Sequence, residues 1–109
     1  MPAAPSGPAD QVDLVPVFKA LANPMRVQIL GWLKDPTSFP SQLEPAAEVG
    51  VCLKHIQARA GVSQSTASQF MAVLHRAGLV TSTRIGPWTH YQRNEERIAE
   101  LAEAIGSRV

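Results

Sequence analysis

The spacing of apolar residues predicts two helices in the first third of the chain. Apolar side chains recur at intervals of three and four at Leu14, Val15, Phe18, Leu21 and Ala22. This pattern predicts a first helix over residues 12–22, in which Pro16 fits only within the first turn. Asn23 and Pro24 are typical of an N-cap followed by proline at the first helical position, so they predict the start of a second helix. Its expected inward positions are Val27, Ile29, Leu30 and Leu33.

The stretch after the second helix has the composition of a long loop. Asp35 and Pro36 end the helix, and the residues up to Gly50 include two more prolines with little periodicity. We predict a loop over residues 35–50 that is longer than most connections in compact domains.

Two helices separated by a three-residue turn are predicted next. A short helix over residues 53–60, with Ile56 and Ala60 inward, ends at Gly61, which suits the left-handed C-cap conformation. Ser63 is a natural N-cap for a longer helix that Gly78 closes. The apolar stripe of this longer helix is expected at Ala67, Phe70, Met71 and Leu74.

A hairpin and a last helix complete the chain. Two β-prone runs, residues 79–84 and 88–93, flank a short tip and predict a β-hairpin, with Trp88 packed on the core. Asn94 can cap a final helix whose apolar stripe is expected at Ile98, Leu101, Ala102 and Ile105. The order of elements predicts a mainly α fold with a small β-hairpin. The predicted fold is a winged helix-turn-helix of about five helices and a two-stranded wing.

Length and composition indicate a single domain. A chain of 109 residues with 45% hydrophobic content can bury one core, which we assign to residues 12–109. Residues 1–11, rich in proline and alanine, are expected to form a disordered tail. The chain has no apolar run of about 20 residues and its start does not resemble a signal peptide, so a cytoplasmic protein without membrane contact is expected.

The charges are unevenly distributed although the formal net charge is only +1. Residues 49–94 contain no Asp or Glu, yet they hold five of the ten Lys and Arg residues and all three histidines. A segregated basic segment is the electrostatic pattern expected of a surface that faces phosphates. This segment coincides with the predicted helix pair and hairpin.

The residues that suit contact with double-stranded DNA lie on the longer helix and the hairpin. The N-terminal part of the helix offers short polar side chains to base edges and phosphates, at Ser63, Gln64, Ser65, Thr66, Ser68 and Gln69. Ser63 and Thr66 have an alternative role in capping the helix. His75 and Arg76, at the end of the helix, are expected to face phosphate, and Arg84 and His90 are expected to make wing contacts.

Two segments resemble the arsenical-resistance repressor (ArsR/SmtB) family of prokaryotic regulators. FKALANPMRVQILGWL is similar to the family's opening, and IQARAGVSQSTASQFMAVLHRAGLVTSTRIGPWTHY is similar to its DNA-binding core and wing. The resemblance covers residues 17–105. It implies a homodimer formed through the first and last helices, an inverted-repeat operator, and repression relieved by an inducer.

The family's usual metal ligands are missing from this sequence. Where metal-sensing members carry a C-x-C pair, this chain has Cys52 and Lys54, and its last helix contains no histidine. We therefore expect no cofactor and a metal-independent regulator. Cys52 and His55 are three residues apart and remain weak candidates for a metal site that a further segment would complete.

Three alternatives stay open from the residues alone. The regulator could respond to a thiol oxidant or metal at Cys52, or to an unknown small-molecule inducer held between the terminal helices and the 38–50 loop. It could also be a winged-helix module that binds protein. An enzyme is not expected, because the sequence contains no nucleophile–base set, phosphate-binding glycine loop or paired carboxylates.

Overall fold

The computed structural model describes residues 12–109, and the tail predicted over residues 1–11 lies outside the described residues. Within the described range the chain forms six α-helices, one 3₁₀ turn and three strands. In chain order these are α1 (Leu14–Leu21), α2 (Pro24–Leu33), the 3₁₀ turn (Pro36–Ser38), α3 (Ala46–Val49), β1 (Val51–Cys52), α4 (Leu53–Ala60), α5 (Gln64–Arg76), β2 (Val80–Ile85), β3 (Trp88–Arg93) and α6 (Glu95–Arg108).

The junction between α1 and α2 is held by side chains on both sides. The Asn23 Oδ1 accepts hydrogen bonds from the backbone N–H groups of Met25 and Arg26 at 2.9 and 3.0 Å. These bonds satisfy two of the free donors at the start of α2, as the sequence predicted. The Arg26 guanidinium reaches back to the carbonyl oxygens of Ala20 at 2.6 Å and Lys19 at 3.1 Å, where α1 ends. The two helices are therefore fixed at a defined angle.

One expected core position on α2 is wrong. Ile29, Leu30 and Leu33 are buried, but Val27 is 48% exposed. At about 100° per residue, Val27 lies roughly a third of a turn from the centre of the stripe that the other three form. The Val27 side chain therefore faces away from the core.

The predicted long loop contains local structure. The 3₁₀ turn and α3 interrupt it, and the Gln42 side-chain amide donates to the Gly50 carbonyl oxygen at 2.7 Å. The Gln42 Oε1 also accepts from the Cys52 backbone N–H at 3.0 Å. Helices and strands of two to four residues are too short to show a periodicity, which is why the sequence did not reveal them.

The wing has three strands rather than the two that were predicted. The strand order is β1-β3-β2, and all pairs are antiparallel. In β1, Val51 pairs with Tyr91 and Cys52 pairs with His90. Because successive side chains in a strand point to opposite faces, Val51 and Tyr91 lie on the core face, while Cys52 and His90 lie on the outer face.

The buried core residues come from all three strands and from every helix of the described residues except α3. Its fully buried side chains include Ile29 of α2, Ile56 of α4, and Met71 and Leu74 of α5. On α6 the expected stripe is only partly covered, because Leu101 is buried whereas Ile105 is 37% exposed. None of the helices in residues 12–109 is long and apolar enough to cross a membrane.

Candidate nucleic-acid interface

The turn between α4 and α5 has the geometry that its glycine predicted. Gly61 has φ +68° and ψ +34°, the left-handed conformation, and its N–H donates to the Gln57 carbonyl oxygen at 3.0 Å. Val62 is partly buried against the core, which anchors the turn. The three residues from Gly61 to Ser63 thus join α4 to α5 and position the start of α5 at the surface.

Ser63 caps α5. Its Oγ accepts a hydrogen bond from the Thr66 backbone N–H at 3.1 Å and donates to the Thr66 Oγ1 at 2.9 Å. A third hydroxyl, that of Ser65, lies 3.2 Å from the Ser63 Oγ. Both Ser63 and Thr66, predicted as base-contact or capping residues, therefore use their hydroxyl groups within the cap.

The outward face of α5 is polar throughout its first two turns. Ala67, Met71 and Leu74 are completely buried and hold the opposite face in the core. The exposed side chains of the N-terminal half are Gln64, Ser65, Ser68 and Gln69. His75 and Arg76 are also exposed, at the other end of the helix. The structure thus brings six of the predicted residues onto one accessible surface.

The two predicted wing residues lie in different environments. Arg84 is exposed on β2, and its Nε donates to the Gly86 carbonyl oxygen at 3.1 Å, which holds the guanidinium near the hairpin tip. His90 is only 4% exposed and lies on β3 between β1 and β2. The expectation of a wing contact by His90 is therefore corrected, because its side chain is buried within the three-stranded sheet, where β1 and β2 flank β3.

Two arginines of the acid-free segment are engaged within the protein. The Arg59 guanidinium lies 4.6 Å from the centre of the Trp32 ring and 4.9 Å from that of Phe39. Arg93 forms a two-pronged ion pair with Glu95, with N···O distances of 2.8 and 2.9 Å. Arg76 and Arg84 have no carboxylate partner within residues 12–109. The arginines of this segment that remain available to a ligand therefore lie on α5 and the wing.

The sequence did not single out the hydroxyl groups of β2. Thr81, Ser82 and Thr83 are exposed beside Arg84, and their hydroxyls can donate to phosphate oxygens. Threonine favours strands on steric grounds alone, so its presence in a β-prone run carried no functional signal.

The residues around Cys52 do not fit a metal centre. Cys52 is a buried free thiol, and among the side chains of residues 12–109 no three His, Cys, Asp or Glu groups are placed to hold a metal ion. Burial lowers the pKa of His55, and the nearby Lys54 and His90 lower it further. The His55 imidazole is therefore neutral at neutral pH.

Comparison with known proteins places the chain in a family. No protein-family model matches it. An HTH-type transcriptional regulator of Bacillus subtilis, YbzH, is 42% identical over 97 residues, which cover 87% of this chain and 97% of that protein. A protein of Halobacterium salinarum with the provisional name of arsenical resistance operon repressor ArsR2 is 34% identical over 79 residues, 72% of this chain and 57% of that protein. The chain belongs to the ArsR family of transcriptional regulators.

Solved structures agree with this assignment. A homodimeric winged helix-turn-helix DNA-binding domain of Mycobacterium bovis, Mb0332, superimposes on this ArsR-family chain with a TM-score of 0.62 and 29% identity. The match covers 98% of this chain and 88% of that domain. An ArsR-like regulator of Rhodococcus sp. RHA1 has the same fold, with a TM-score of 0.62 and 24% identity over 86% of this chain and 79% of its own. The relatives are regulators rather than enzymes, in agreement with the sequence-based prediction.

Proposed function

We propose that this ArsR-family protein is a repressor that binds an inverted-repeat DNA operator as a homodimer. In this proposal α5 enters the major groove, and the β2–β3 hairpin lies against the neighbouring backbone or minor groove. The observation that carries it is the polar outward face of α5, with Gln64, Ser65, Ser68 and Gln69 exposed on a helix whose other face is buried. Glutamine can bond adenine through two hydrogen bonds, whereas serine contacts are less selective.

The positive charge supports the same placement. Arg76 at the end of α5 and Arg84 on the wing flank the polar face, and neither has a carboxylate partner in the part of the chain that the structure describes. His75 adds a polar side chain beside Arg76. Phosphate contacts of this kind set the register of a protein on DNA, while the groups on α5 read the bases.

Apolar exposure on the terminal helices supports the homodimer. Val15 and Phe18 of α1 are 58% and 42% exposed, and Ile105 of α6 is 37% exposed. A shallow, mainly apolar groove of about 200 Å³ runs between these helices, lined in part by Leu21 and Ala102. A second copy of the chain would cover these side chains and present two α5 helices to two half-sites about 34 Å apart. The Mycobacterium bovis domain is homodimeric, which agrees with this proposal.

We further propose that the repressor acts without a bound metal. The sequence predicts two candidate ligands, Cys52 and His55, and two ligands do not make a stable metal site. Loss of DNA binding on addition of Zn²⁺ or Cu⁺ to the wild type, but not to a Cys52→Ser variant, would contradict this part of the proposal.

Replacing Gln69 by Ala is expected to weaken operator binding by about 1 to 3 kcal/mol and to relax base preference at one position of each half-site. The physical reason is the loss of a paired hydrogen bond to a base edge. Fluorescence anisotropy with DNA from upstream of the protein's own gene measures the change, and Gln64→Ala is expected to behave similarly. Gln28→Ala, an exposed glutamine on α2, serves as the matched control. Equal effects of Gln69→Ala and Gln28→Ala would contradict the role of α5.

The salt dependence of binding separates the two arginine environments. Arg84→Gln is expected to lower the slope of log K against log salt concentration by about 1, because one phosphate contact is lost. Arg93→Gln is the control, since Arg93 already pairs with Glu95 and is expected to leave the slope unchanged. Titrations at several salt concentrations give both slopes. A wild-type affinity that does not depend on salt would instead favour the protein-binding alternative.

A further inference from the structure

A pocket of about 320 Å³ lies on the outer face of the three-stranded sheet. Its floor is formed by Cys52, Ile85, Trp88 and His90, which the strand pairing places on one face, since Cys52 pairs with His90 and Ile85 with Trp88. Lys54, from the first turn of α4, lines one side of the pocket. The pocket is thus separate from both the polar face of α5 and the groove between the terminal helices.

Residues 42–44, which we call the cover segment, lie over one side of the pocket. Gln42, Leu43 and Glu44 line this side. The Gln42 amide donates to the Gly50 carbonyl oxygen and accepts from the Cys52 N–H of β1, and these two hydrogen bonds hold the segment over the sheet. Leu43 itself is 93% exposed at the mouth. An apolar side chain so fully exposed beside a pocket is available to contact a molecule that enters it.

One buried polar atom in this pocket has no partner. His90 is only 4% exposed, and its Nδ1 forms no hydrogen bond. A buried polar group without a partner is costly, and such groups are rare in folded proteins. Because His90 lines the pocket, a bound molecule could supply the missing partner.

The lining of the pocket carries one ammonium group, that of Lys54, and one carboxylate, that of Glu44. Lys54 makes no ion pair within residues 12–109, and its Nζ lies 5.8 Å from the centre of the Trp88 ring. His55 lies nearby, and its pKa is lowered by burial, by the Lys54 ammonium and by the neighbouring His90 side chain. A ligand ring that packs against Trp88 would therefore have the Lys54 ammonium beside it.

We infer that this pocket binds a small aromatic carboxylate. The ring of the ligand would pack against Trp88 and Ile85, its carboxylate would meet the Lys54 ammonium, and a ligand oxygen would pair with His90. The effector role of this ligand rests on the proposed function, whereas binding to the pocket does not. A ligand here would touch both the wing and α4, so it would act as the effector that alters operator binding.

Binding is tested first on the DNA-free protein, with benzoate as the probe and benzyl alcohol and benzylamine as its neutral and cationic counterparts. NMR of the Trp88 indole N–H and the His90 imidazole reports on the site. Benzoate is expected to give saturable shifts of both signals, with an affinity at least about tenfold higher than that of either counterpart. Absence of saturable shifts, or equal binding of benzylamine, would overturn the inference.

Variants assign the binding to the pocket. Lys54→Met is expected to weaken benzoate binding about fivefold or more, and Trp88→Leu to weaken it about tenfold. Lys34→Met, an exposed lysine at the end of α2, is the control and is expected to bind benzoate as the wild type does. Thermal melts confirm that each variant is folded. Unchanged benzoate affinity in both Lys54→Met and Trp88→Leu would place the binding elsewhere and refute the assignment.

The effector role is tested by measuring operator affinity with and without benzoate. Saturating benzoate is expected to change the wild-type operator affinity at least about threefold, and the change is expected to be smaller in Lys54→Met. If benzoate binds but the operator affinity stays the same, the effector role fails while the pocket stands. If the protein without benzoate binds no DNA, the proposed function fails, and the DNA-free titrations still decide the pocket.

Discussion

A Phe18→Glu, Ile105→Glu double variant is expected to be a folded monomer that binds the operator at least about 100-fold more weakly than the wild type. Both side chains are exposed in the protomer, at 42% and 37%, so the substitutions leave the core intact. They would place carboxylates in the proposed contact between copies, where burying an unpaired charge is strongly unfavourable. A monomer would then lose the gain in affinity that comes from binding two half-sites at once.

Size-exclusion chromatography with light scattering gives the oligomeric state, and anisotropy gives the operator affinity. Leu43→Glu is the matched control for oligomeric state, because Leu43 is 93% exposed on the cover segment, away from α1 and α6. It is expected to remain a dimer. A dimeric double variant would contradict the proposed interface, and a monomeric one with unchanged operator affinity would contradict the two-half-site model.

Gly50→Ala is expected to lower the free energy of unfolding by about 3 kcal/mol or more. Gly50 has φ +98° and ψ +176°, a region that residues with a Cβ essentially do not occupy. An added Cβ would also lie 2.6 Å from the carbonyl carbon and oxygen of Tyr91. Because this contact is with backbone, relief would require β1 to separate from β3. Urea unfolding followed by circular dichroism measures the loss.

Gly86→Ala separates the steric collision from the backbone conformation. Gly86, at the tip of the hairpin, also has a positive φ of +59°, but an added Cβ there would meet nothing within 4 Å. Its expected cost is about 1 kcal/mol. Similar losses in Gly50→Ala and Gly86→Ala would show that the contact with Tyr91 is unimportant. Faster amide exchange at Val51 and Cys52 in Gly50→Ala alone would locate the damage at β1.

The elements that the sequence predicted well are those whose signals are local. Asn23, Gly61 and Ser63 each mark a helix end through hydrogen bonds to the nearest few residues, and all three act in the structure as expected. The apolar stripe of α5 is periodic over about two turns, and three of its expected positions, Ala67, Met71 and Leu74, are fully buried.

The corrections concern residues whose environment is formed by distant parts of the chain. His90 looked like a wing-surface residue because a hairpin of two strands would expose one face. β1, which is only two residues long and lies nearly 40 positions earlier, pairs with β3 at His90, and the outer face is covered there. A strand this short leaves no alternating pattern for the sequence to reveal.

The charged residues show the same division between what a local pattern reveals and what distant contacts decide. The absence of Asp and Glu from residues 49–94 is visible in the sequence and coincides with the helix pair and the hairpin. Which arginines of that half are available depended on tertiary contacts, since Arg59 packs on Trp32 and Phe39, and Arg93 pairs with Glu95.

The sequence by itself determined the helix pair, its polar outward face and the hairpin, because caps, turns and helical periodicity act over a few neighbouring residues. Only the tertiary structure decided what lies on the outer face of the sheet. Cys52, Trp88 and His90 come from β1 and β3, and Lys54 from α4, and only strand pairing and the cover segment bring them around one pocket. Contacts between residues far apart in the chain leave no local pattern, so a single sequence could not reveal them.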